Sequence, residues 1–295
     1  MTRIAVIQMT GPWTDAATAQ SRTVRLLHAA AARGATLAVL PELCTISYDF
    51  HARADVEPHA ESLDGPAVSS WRETARQTGM HVVAGLPERD GARLFNSAVV
   101  IGPGGVLGVY RKTHLYHFER DIFAPGDLGF PTWDTPLGRL GVLICYDLRF
   151  AEAVRILVLR GAQVLCTQTT WTDHGKPQPY DAHGWCGANY LAAGHAYGNR
   201  LWVACANRAG QDGAVRTLGC SAVFAQSGMA VAGPAAHAGE DVLVAMVDTG
   251  RPDAARATTE MDLIGDRRPD LYADLTTPAG PHAGIEPRAG AERGG

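Results

Sequence analysis

A cysteine ends a strongly apolar run in the segment GRLGVLICYDLRF, residues 138–150. Val142, Leu143 and Ile144 predict a buried strand, and the polar residues that follow, with FAEAVRILVLRGA behind them, predict the start of a helix. Cys145 would then lie at a strand-to-helix turn, where the positive end of a helix dipole favours the thiolate. Free cysteines are also common core residues, so simple packing is the alternative interpretation of this stretch alone.

A nucleophilic cysteine needs a proton acceptor and a group that stabilises the developing oxyanion. TLAVLPEL places Glu42 just past another predicted strand, and GVYRKTHLYHFERD places Lys112 after a third, with Glu119 in the loop that follows. The chain has only one other lysine, Lys176, which indicates a site where a compact ammonium is needed rather than a guanidinium. Each of these residues is also typical of a solvated loop or a surface ion pair.

Strand-like runs alternate with helix-like stretches along the chain, which predicts an α/β fold. The run SAVVIGPGGVLGVY predicts a hairpin that turns at 102–105, so the sheets should be mixed. Predicted strands cover 3–9, 36–40, 81–86, 97–101, 140–145, 162–168, 201–207, 221–226 and 242–248, and predicted helices cover 15–33, 66–78, 151–160 and 185–199.

The composition predicts one domain with a short extension. No low-complexity linker interrupts residues 1–275, whereas 276–295 is rich in proline, glycine and alanine and can bury little apolar surface. We therefore expect a domain over 1–275 and a tail over 276–295 that is mobile or lies on a partner subunit.

Charge and cysteine content narrow the class of partner. The 295 residues carry 26 basic and 30 acidic side chains, a net charge of -4, which argues against nucleic acid or an anionic membrane and favours a small-molecule partner. The apolar run near the N-terminus is shorter than that of a signal peptide or a membrane span. The six cysteines lack paired zinc-type spacing, so we expect reduced thiols in the cytoplasm.

Several motifs together resemble those of the nitrilase superfamily of carbon–nitrogen hydrolases. They are LPEL, YRKTHL followed by FAPGD, GRLGVLICYDLRFAEAVRILVLRGAQVL, VACANRAG and DRRPDLY, and the similarity spans about residues 3–272. The resemblance implies a four-layer α-β-β-α sandwich with mixed sheets, and a homodimer or larger homo-oligomer.

The resemblance also implies roles for the polar residues. Cys145 would attack a carbonyl carbon to form a thioester, and Glu42 would carry the proton from the thiol to the departing amine. Lys112 and backbone N–H groups near Tyr146 would hold the oxyanion, and Glu119 would orient Lys112 or the attacking water. The adjacent ammonium should lower the pKa of the thiol.

The residues after the cysteine indicate a branch of this superfamily. Nitrilases proper typically show Trp-Glu there, whereas Tyr-Asp and the GDLGF segment at 126–130 are similar to amidases and carbamoylases. We therefore expect a thiol-dependent hydrolase of a small linear amide or N-carbamoyl compound, with a nitrilase or an acyl transferase to an amine as alternatives. The candidate substrate-binding residues are Tyr48, Tyr146, Arg149, Trp171 and His174.

Some of these residues have an alternative interpretation. Arg149 matches a carboxylate-binding position of some carbamoylases, but a structural ion pair would explain it equally well. The aromatic segment 171–185 lines the site or forms a packed loop. On the late helix, His195 and Gly198 depart from the Arg and Glu that the superfamily often carries there.

Other classes of protein fit the sequence less well. His114 and His117 precede Glu119, but no second cluster completes a metal site, and phosphate-binding and dinucleotide-binding loops are absent from the sequence. We therefore expect catalysis without a metal or cofactor. A Cys-His thiol enzyme and a catalytically silent scaffold are the remaining alternatives.

Overall fold

Two β-sheets packed face to face form the centre of the protein, in a computed structural model that describes residues 1–11, 13, 15–173, 179–250 and 256–278. Within these residues the main elements are β1 (Thr2–Thr10), α1 (Ala16–Ala32), β2 (Leu37–Val39), α2 (Arg53–Val56), α3 (Pro66–Thr78), β3 (His81–Asp90), β4 (Arg93–Gly102), β5 (Gly105–Arg111), β6 (Thr132–Thr135), β7 (Gly138–Ile144), α4 (Ala151–Leu159), β8 (Val164–Gln168), α5 (Gly187–Asn199), β9 (Trp202–Ala206), β10 (Arg208–Asp212), β11 (Val215–Leu218), β12 (Ala222–Phe224), β13 (Ala230–Ala232) and β14 (Asp241–Val247).

Both sheets are mixed. The first follows the order β11-β10-β1-β2-β3-β4-β5, with β14 also paired to β1, and the second follows β13-β12-β9-β8-β7-β6. Parallel pairs join β1 to β2, β2 to β3, β7 to β8 and β8 to β9, whereas β3, β4 and β5 form antiparallel hairpins. As a result β2, β5 and β7 each deliver the residues after them to a sheet edge.

Helices cover the outer face of each sheet. Leu27 of α1 and Trp71 of α3 pack with outward-facing residues of the first sheet such as Ile7. The inner face of that sheet, with Val6, packs against the second sheet, whose other face is covered by α4 and α5. β1 is buried almost continuously, because successive side chains of a strand point to opposite faces and both faces of this strand are covered. The predicted four-layer sandwich is confirmed.

The ends of the helices follow from local sequence. Asp15 precedes α1, and its side chain accepts the N–H of Thr18, which satisfies one of the unpaired donors of the first turn. Pro66 opens α3, where its missing N–H costs nothing, and Gly79 ends it with a φ of 72°. The four predicted helices are found within two residues of their expected limits, and for α1 and α3 these signals explain the agreement.

The nine predicted strands and the hairpin at 102–105 are also confirmed. The sequence reading missed β6, β10, β11 and β13, because short polar segments such as TWDT and RAGQD lack apolar alternation and form strands only through their neighbours. Most of the predicted tail over 276–295 lies outside the described residues, so its separation from the domain stays a prediction. In the part of the chain that the structure describes, no helix is long and apolar enough to cross a membrane.

Candidate functional site

Three strand ends bring the candidate residues to one region. Glu42 follows β2, Lys112 directly follows β5, and Cys145 directly follows β7. The side chains of Glu42 and Lys112 are fully buried, whereas Cys145 is partly accessible. All three therefore occupy the place that the sequence predicts for them, at the carboxyl ends of strands.

Lys112 is held between two carboxylates. Its Nζ lies 2.6 Å from Glu42 Oε1 and 2.8 Å and 2.9 Å from the two oxygens of Glu119. Burial lowers the pKa of Lys112, but the charges of Glu119 and Glu42 outweigh it, so the pKa is raised overall and the ammonium is retained. Asn96 completes the cluster, because its Nδ2 donates to Glu42 Oε1 at 2.8 Å and to Glu119 Oε1 at 3.2 Å.

Glu119 lies in the 3₁₀ helix His117–Asp121, which turns its carboxylate inward. Besides Lys112 and Asn96, it accepts the Tyr48 hydroxyl at 3.0 Å and the backbone N–H of Tyr116 at 2.7 Å. Burial raises the pKa of Glu119, against the opposing effect of Lys112. Tyr48, which we expect from the sequence to bind substrate, is only 4% exposed, and its hydroxyl donates a hydrogen bond to the Glu119 carboxylate.

Glu42 keeps one carboxylate oxygen uncommitted. Its Oε2 is buried and makes no hydrogen bond to the described residues, while Oε1 is shared by Lys112 and Asn96. The backbone around it is fixed by Arg208, a buried guanidinium that donates to the carbonyl oxygens of Glu42, Leu43 and Ile46. This support orients Glu42 without occupying Oε2.

Cys145 has a φ of 48°, an unusual value for a residue with a Cβ, at the start of the 3₁₀ helix Cys145–Arg149. The backbone N–H of Thr170 donates to the Cys145 sulfur, and the charges of Glu42, Lys112 and Glu119 act electrostatically on the thiol. This turn at the end of a strand places the sulfur beside the charged cluster. Its strained backbone persists because contacts on both sides hold it.

Burial, followed by the charge of Glu42, raises the pKa of Cys145 well above its ordinary value, although Lys112 opposes the shift. The expected lowering is therefore wrong for the protein without substrate. The helix dipole does not supply it, because Cys145 lies in the 3₁₀ helix Cys145–Arg149 and α4 begins only at Ala151. The resting side chain is a thiol, which needs a base to become a nucleophile.

Asp147 joins the cysteine turn to the lysine loop. Its buried carboxylate accepts the backbone N–H of Ile144 at 3.0 Å and that of His114 at 2.9 Å, and also the Tyr110 hydroxyl at 2.7 Å. His114 Nδ1 lies 2.8 Å from the same carboxylate. Since Tyr110 and His114 flank Lys112, one side chain fixes the Cys145 turn against the segment that carries the ammonium.

The remaining predicted residues are less directly placed. Tyr146 is half-buried, and its ring lies edge-on to those of Tyr116 and Phe150. Arg149 is exposed and makes no ion pair with a described residue, so the structural pairing offered as its alternative role is not observed. Trp171 is buried and follows Thr170 directly. His174 lies outside the described residues.

His195 has a clear structural role in place of the arginine expected on the late helix. It is buried on α5, and its Nε2 donates to the carbonyl oxygen of Leu148 at 2.7 Å. Burial lowers the pKa of His195, which favours the neutral ring. In the aromatic segment, Tyr180 stacks on His237 with ring centroids 3.6 Å apart, and Trp185 packs near Phe224, so these two rings are used in packing.

The sequence reading missed Asn96, Thr170 and Arg208. Asn96 lies inside a strand, in the run RLFNSAVVIG, and a polar residue among apolar ones was the available signal. Thr170 acts through its backbone, which carries no residue signature. Arg208 follows VACAN, where a charged residue directly after a buried strand was the comparable signal.

Comparison with known proteins shows what this arrangement is similar to. A profile of the family described as carbon-nitrogen hydrolase matches residues 3–257. A nitrilase of Pyrococcus abyssi is 34% identical over 273 residues, which are 92% of this chain and 99% of that protein. An N-carbamoylputrescine amidase of Arabidopsis thaliana is 30% identical over 278 residues, which are 89% of this chain and 91% of that protein.

A solved structure extends the similarity to three dimensions. It is a mutant of the amidase from Nesterenkonia sp. AN1 with acrylamide joined by Michael addition to the active-site cysteine. It is 25% identical, has a TM-score of 0.74, and the match covers 93% of this chain and 100% of that one. With the family profile matched along most of its length, this chain belongs to the carbon-nitrogen hydrolase family of the nitrilase superfamily.

Proposed function

We propose that this carbon–nitrogen hydrolase cleaves the C–N bond of a small linear amide or N-carbamoyl compound through a thioester-type intermediate on Cys145. The observation that carries the proposal is the Oε2 atom of Glu42, which is buried and makes no hydrogen bond to the described residues. The charge of Glu42 also acts on the Cys145 thiol, whose pKa is raised. A thiol with a raised pKa and a carboxylate with a free oxygen form an acid–base pair, which general base catalysis requires.

In the first half of the reaction, Glu42 Oε2 takes the proton of Cys145 as the sulfur bonds to the carbonyl carbon. The carbonyl oxygen becomes an oxyanion, which Lys112 and the N–H of Tyr146 stabilise. The C–N bond then breaks, and Glu42 returns its proton to the departing nitrogen. Glu119 holds the ammonium in place throughout, because both of its oxygens contact Nζ.

In the second half, water replaces the amine. Glu42 removes a proton from the water as its oxygen bonds to the acyl carbon. The carbon–sulfur bond then breaks to release the acid, and Glu42 gives its proton to the departing sulfur, which restores the Cys145 thiol. The same three residues thus serve both halves, with Glu42 alternating between base and acid. An entering amine would follow the same path and give acyl transfer instead.

The choice of an amide or carbamoyl bond is supported by Tyr146 and Asp147 after the cysteine and by the similarity to an amidase and an N-carbamoylputrescine amidase. Within the proposal, Tyr146, Arg149, Trp171 and His174 contact substrate, and the exposed guanidinium of Arg149 binds an acidic group where the substrate carries one. The similarity to a nitrilase keeps nitriles as the second candidate.

The test is to mix the protein with primary amides, N-carbamoyl amines, N-carbamoyl amino acids and nitriles, quench in acid, and measure intact mass and released ammonia. We expect an adduct with at least one amide or carbamoyl compound, and its mass identifies the acyl group. Turnover of nitriles alone would contradict the proposed bond. Absence of both adduct and product across all four classes would contradict the proposed function.

Asp147→Asn tests whether Asp147 must hold the backbone turn of Cys145 in place for catalysis. The substitution keeps the size of the side chain but replaces one accepting oxygen by a donor, so contacts with Ile144 or His114 are lost at a cost of about 2 kcal/mol. We expect kcat to fall on the order of 10- to 100-fold through misplacement of the sulfur. Steady-state kinetics and thermal unfolding measure both effects, and Asp134→Asn, at an exposed aspartate, is the control. Unchanged kcat would show that Asp147 does not position the site.

The proposal also includes assembly as a homodimer or larger homo-oligomer and a cytoplasmic location. The first rests on the resemblance to the superfamily. The second rests on the cysteines, all six of which are free thiols.

A further inference from the structure

Cys186 and Cys220 form a pair of thiols that the proposed reaction does not use. Cys186 precedes α5, and its Sγ donates to Asn189 Oδ1 at 3.2 Å. Nδ2 of the same Asn189 donates to the carbonyl oxygen of Cys220 at 2.9 Å, and Cys220 Sγ donates to the carbonyl oxygen of Gly184 at 3.4 Å. Cys220 is thus joined to residues on both sides of Cys186. Its S–H, which donates to the Gly184 carbonyl oxygen, can instead donate to the Cys186 sulfur.

The two thiols differ in acidity. The hydrogen bond from Cys220 and the backbone N–H groups of Asn189 and Ala188 lower the pKa of Cys186 to about 7, against the effect of burial. The same hydrogen bond, together with burial, raises the pKa of Cys220. Cys186 therefore ionises more readily than the Cys220 thiol beside it, which is the combination in which one sulfur reacts and the other resolves the product.

Access to the pair requires the movement of one turn. Both thiols are buried, but Gly184 above them is half-buried, and its carbonyl oxygen also accepts a hydrogen bond from the exposed His237 ring at 3.0 Å. Gly184 has a φ of 81°, so this turn depends on glycine and is held from outside by a surface side chain. Opening the turn would admit a small oxidant without disturbing α5.

We propose that Cys186 and Cys220 are a modification site at which a hydroperoxide converts the two thiols into a disulfide. The Cys186 thiolate attacks the peroxide, the O–O bond breaks, and Cys186 becomes a sulfenic acid. The second oxygen leaves as water or an alcohol after it takes up from solvent the proton that Cys186 lost on ionising. Cys220 sulfur then bonds to Cys186 sulfur, and the hydroxyl leaves with the Cys220 proton as water. The two thiols lose two electrons, which reduce the peroxide.

The disulfide would join the start of α5 to the connection between β11 and β12. That connection lies next to the site, because Leu218 N donates to the carbonyl oxygen of Trp171 at 2.9 Å and Leu218 O accepts the Tyr180 hydroxyl at 3.0 Å. The modified protein would therefore have a covalent tie across the aromatic segment. This inference does not depend on the proposed reaction.

The experiment treats full-length Cys145→Ala protein with hydrogen peroxide, so that the partly accessible Cys145 cannot react. The protein is then unfolded in an alkylating agent and digested. We expect a linked peptide pair that contains Cys186 and Cys220, a loss of two hydrogen masses, and two fewer alkylated thiols, all reversed by a dithiol reductant. No linked pair, or a sulfenic or sulfinic acid left on Cys186, would overturn the proposal.

Single substitutions in the same background test the assignment. Cys186→Ser and Cys220→Ser should each abolish the linked pair, and serine at 186 remains a favourable residue before a helix. Cys166→Ala is the matched control, because that thiol is buried on β8 and burial raises its pKa to about 12. Formation of the disulfide should persist in this control. A linked pair that survives either serine variant would show that other cysteines react.

Discussion

Cys145→Ala is expected to reduce kcat/KM on the order of 10⁵-fold for whichever amide or carbamoyl compound the protein turns over. The substitution removes the sulfur that forms the intermediate, and Glu42 and Lys112 alone cannot supply a nucleophile. The protein should fold normally, because alanine also fits a partly accessible position whose backbone is fixed by Asp147 and by the contacts of β7. Kinetics, intact mass under acid quench and thermal unfolding together measure these effects.

A matched control separates the loss of the nucleophile from the loss of a packed thiol. Cys166→Ala removes a fully buried sulfur on β8, opposite Val142 of β7, and should cost stability while leaving kcat within a few-fold. Substrate binding should survive in Cys145→Ala, because the charged cluster is unchanged. Turnover within about tenfold of the unchanged protein would mean that Cys145 does not carry the intermediate.

Most of the fold could be predicted from the sequence, because its main signals are local. Apolar runs such as LAVL and GVLI, followed by Pro41 or a polar turn, identify strands that are covered on both faces. The strands β10 and β11 could not be found in this way. Their residues pair with β1 and with each other only after the chain has folded, so their formation depends on contacts between distant residues.

The candidate site was predictable to a similar extent. Glu42, Lys112 and Cys145 follow strands, and that common position predicts that they meet at sheet edges. The protonation of Cys145 was not predictable, because it depends on the balance between burial, one ammonium and two carboxylates. Sequence identifies the charged groups, but only the three-dimensional arrangement shows that Lys112 is already shared by Glu42 and Glu119.

Because Lys112 is shared by Glu42 and Glu119, the ammonium stays bound when Glu42 loses its charge. Glu42→Gln is the second substitution from which we expect a large loss of activity. Glutamine has the shape of glutamate and can still accept from Lys112 and Asn96 through its amide oxygen, but it cannot take a proton from Cys145. We expect kcat/KM to fall about 10²- to 10⁴-fold, the usual contribution of a general base. Glu73→Gln, which changes an exposed glutamate on α3, is the control and should leave the kinetics unchanged.

The same substitution should move the pKa of Cys145 in a direction that structural damage would not produce. The charge of Glu42 raises this pKa, so its removal lowers the pKa and leaves more thiolate at neutral pH. Ultraviolet titration of the thiolate and the rate of alkylation against pH should both shift to lower pH, while turnover is lost. An unchanged or higher pKa would contradict the electrostatic control of Cys145 by Glu42. Turnover that persists would contradict the role of Glu42 as the base. A more reactive sulfur in an inactive protein is the result expected only when the missing function is proton transfer.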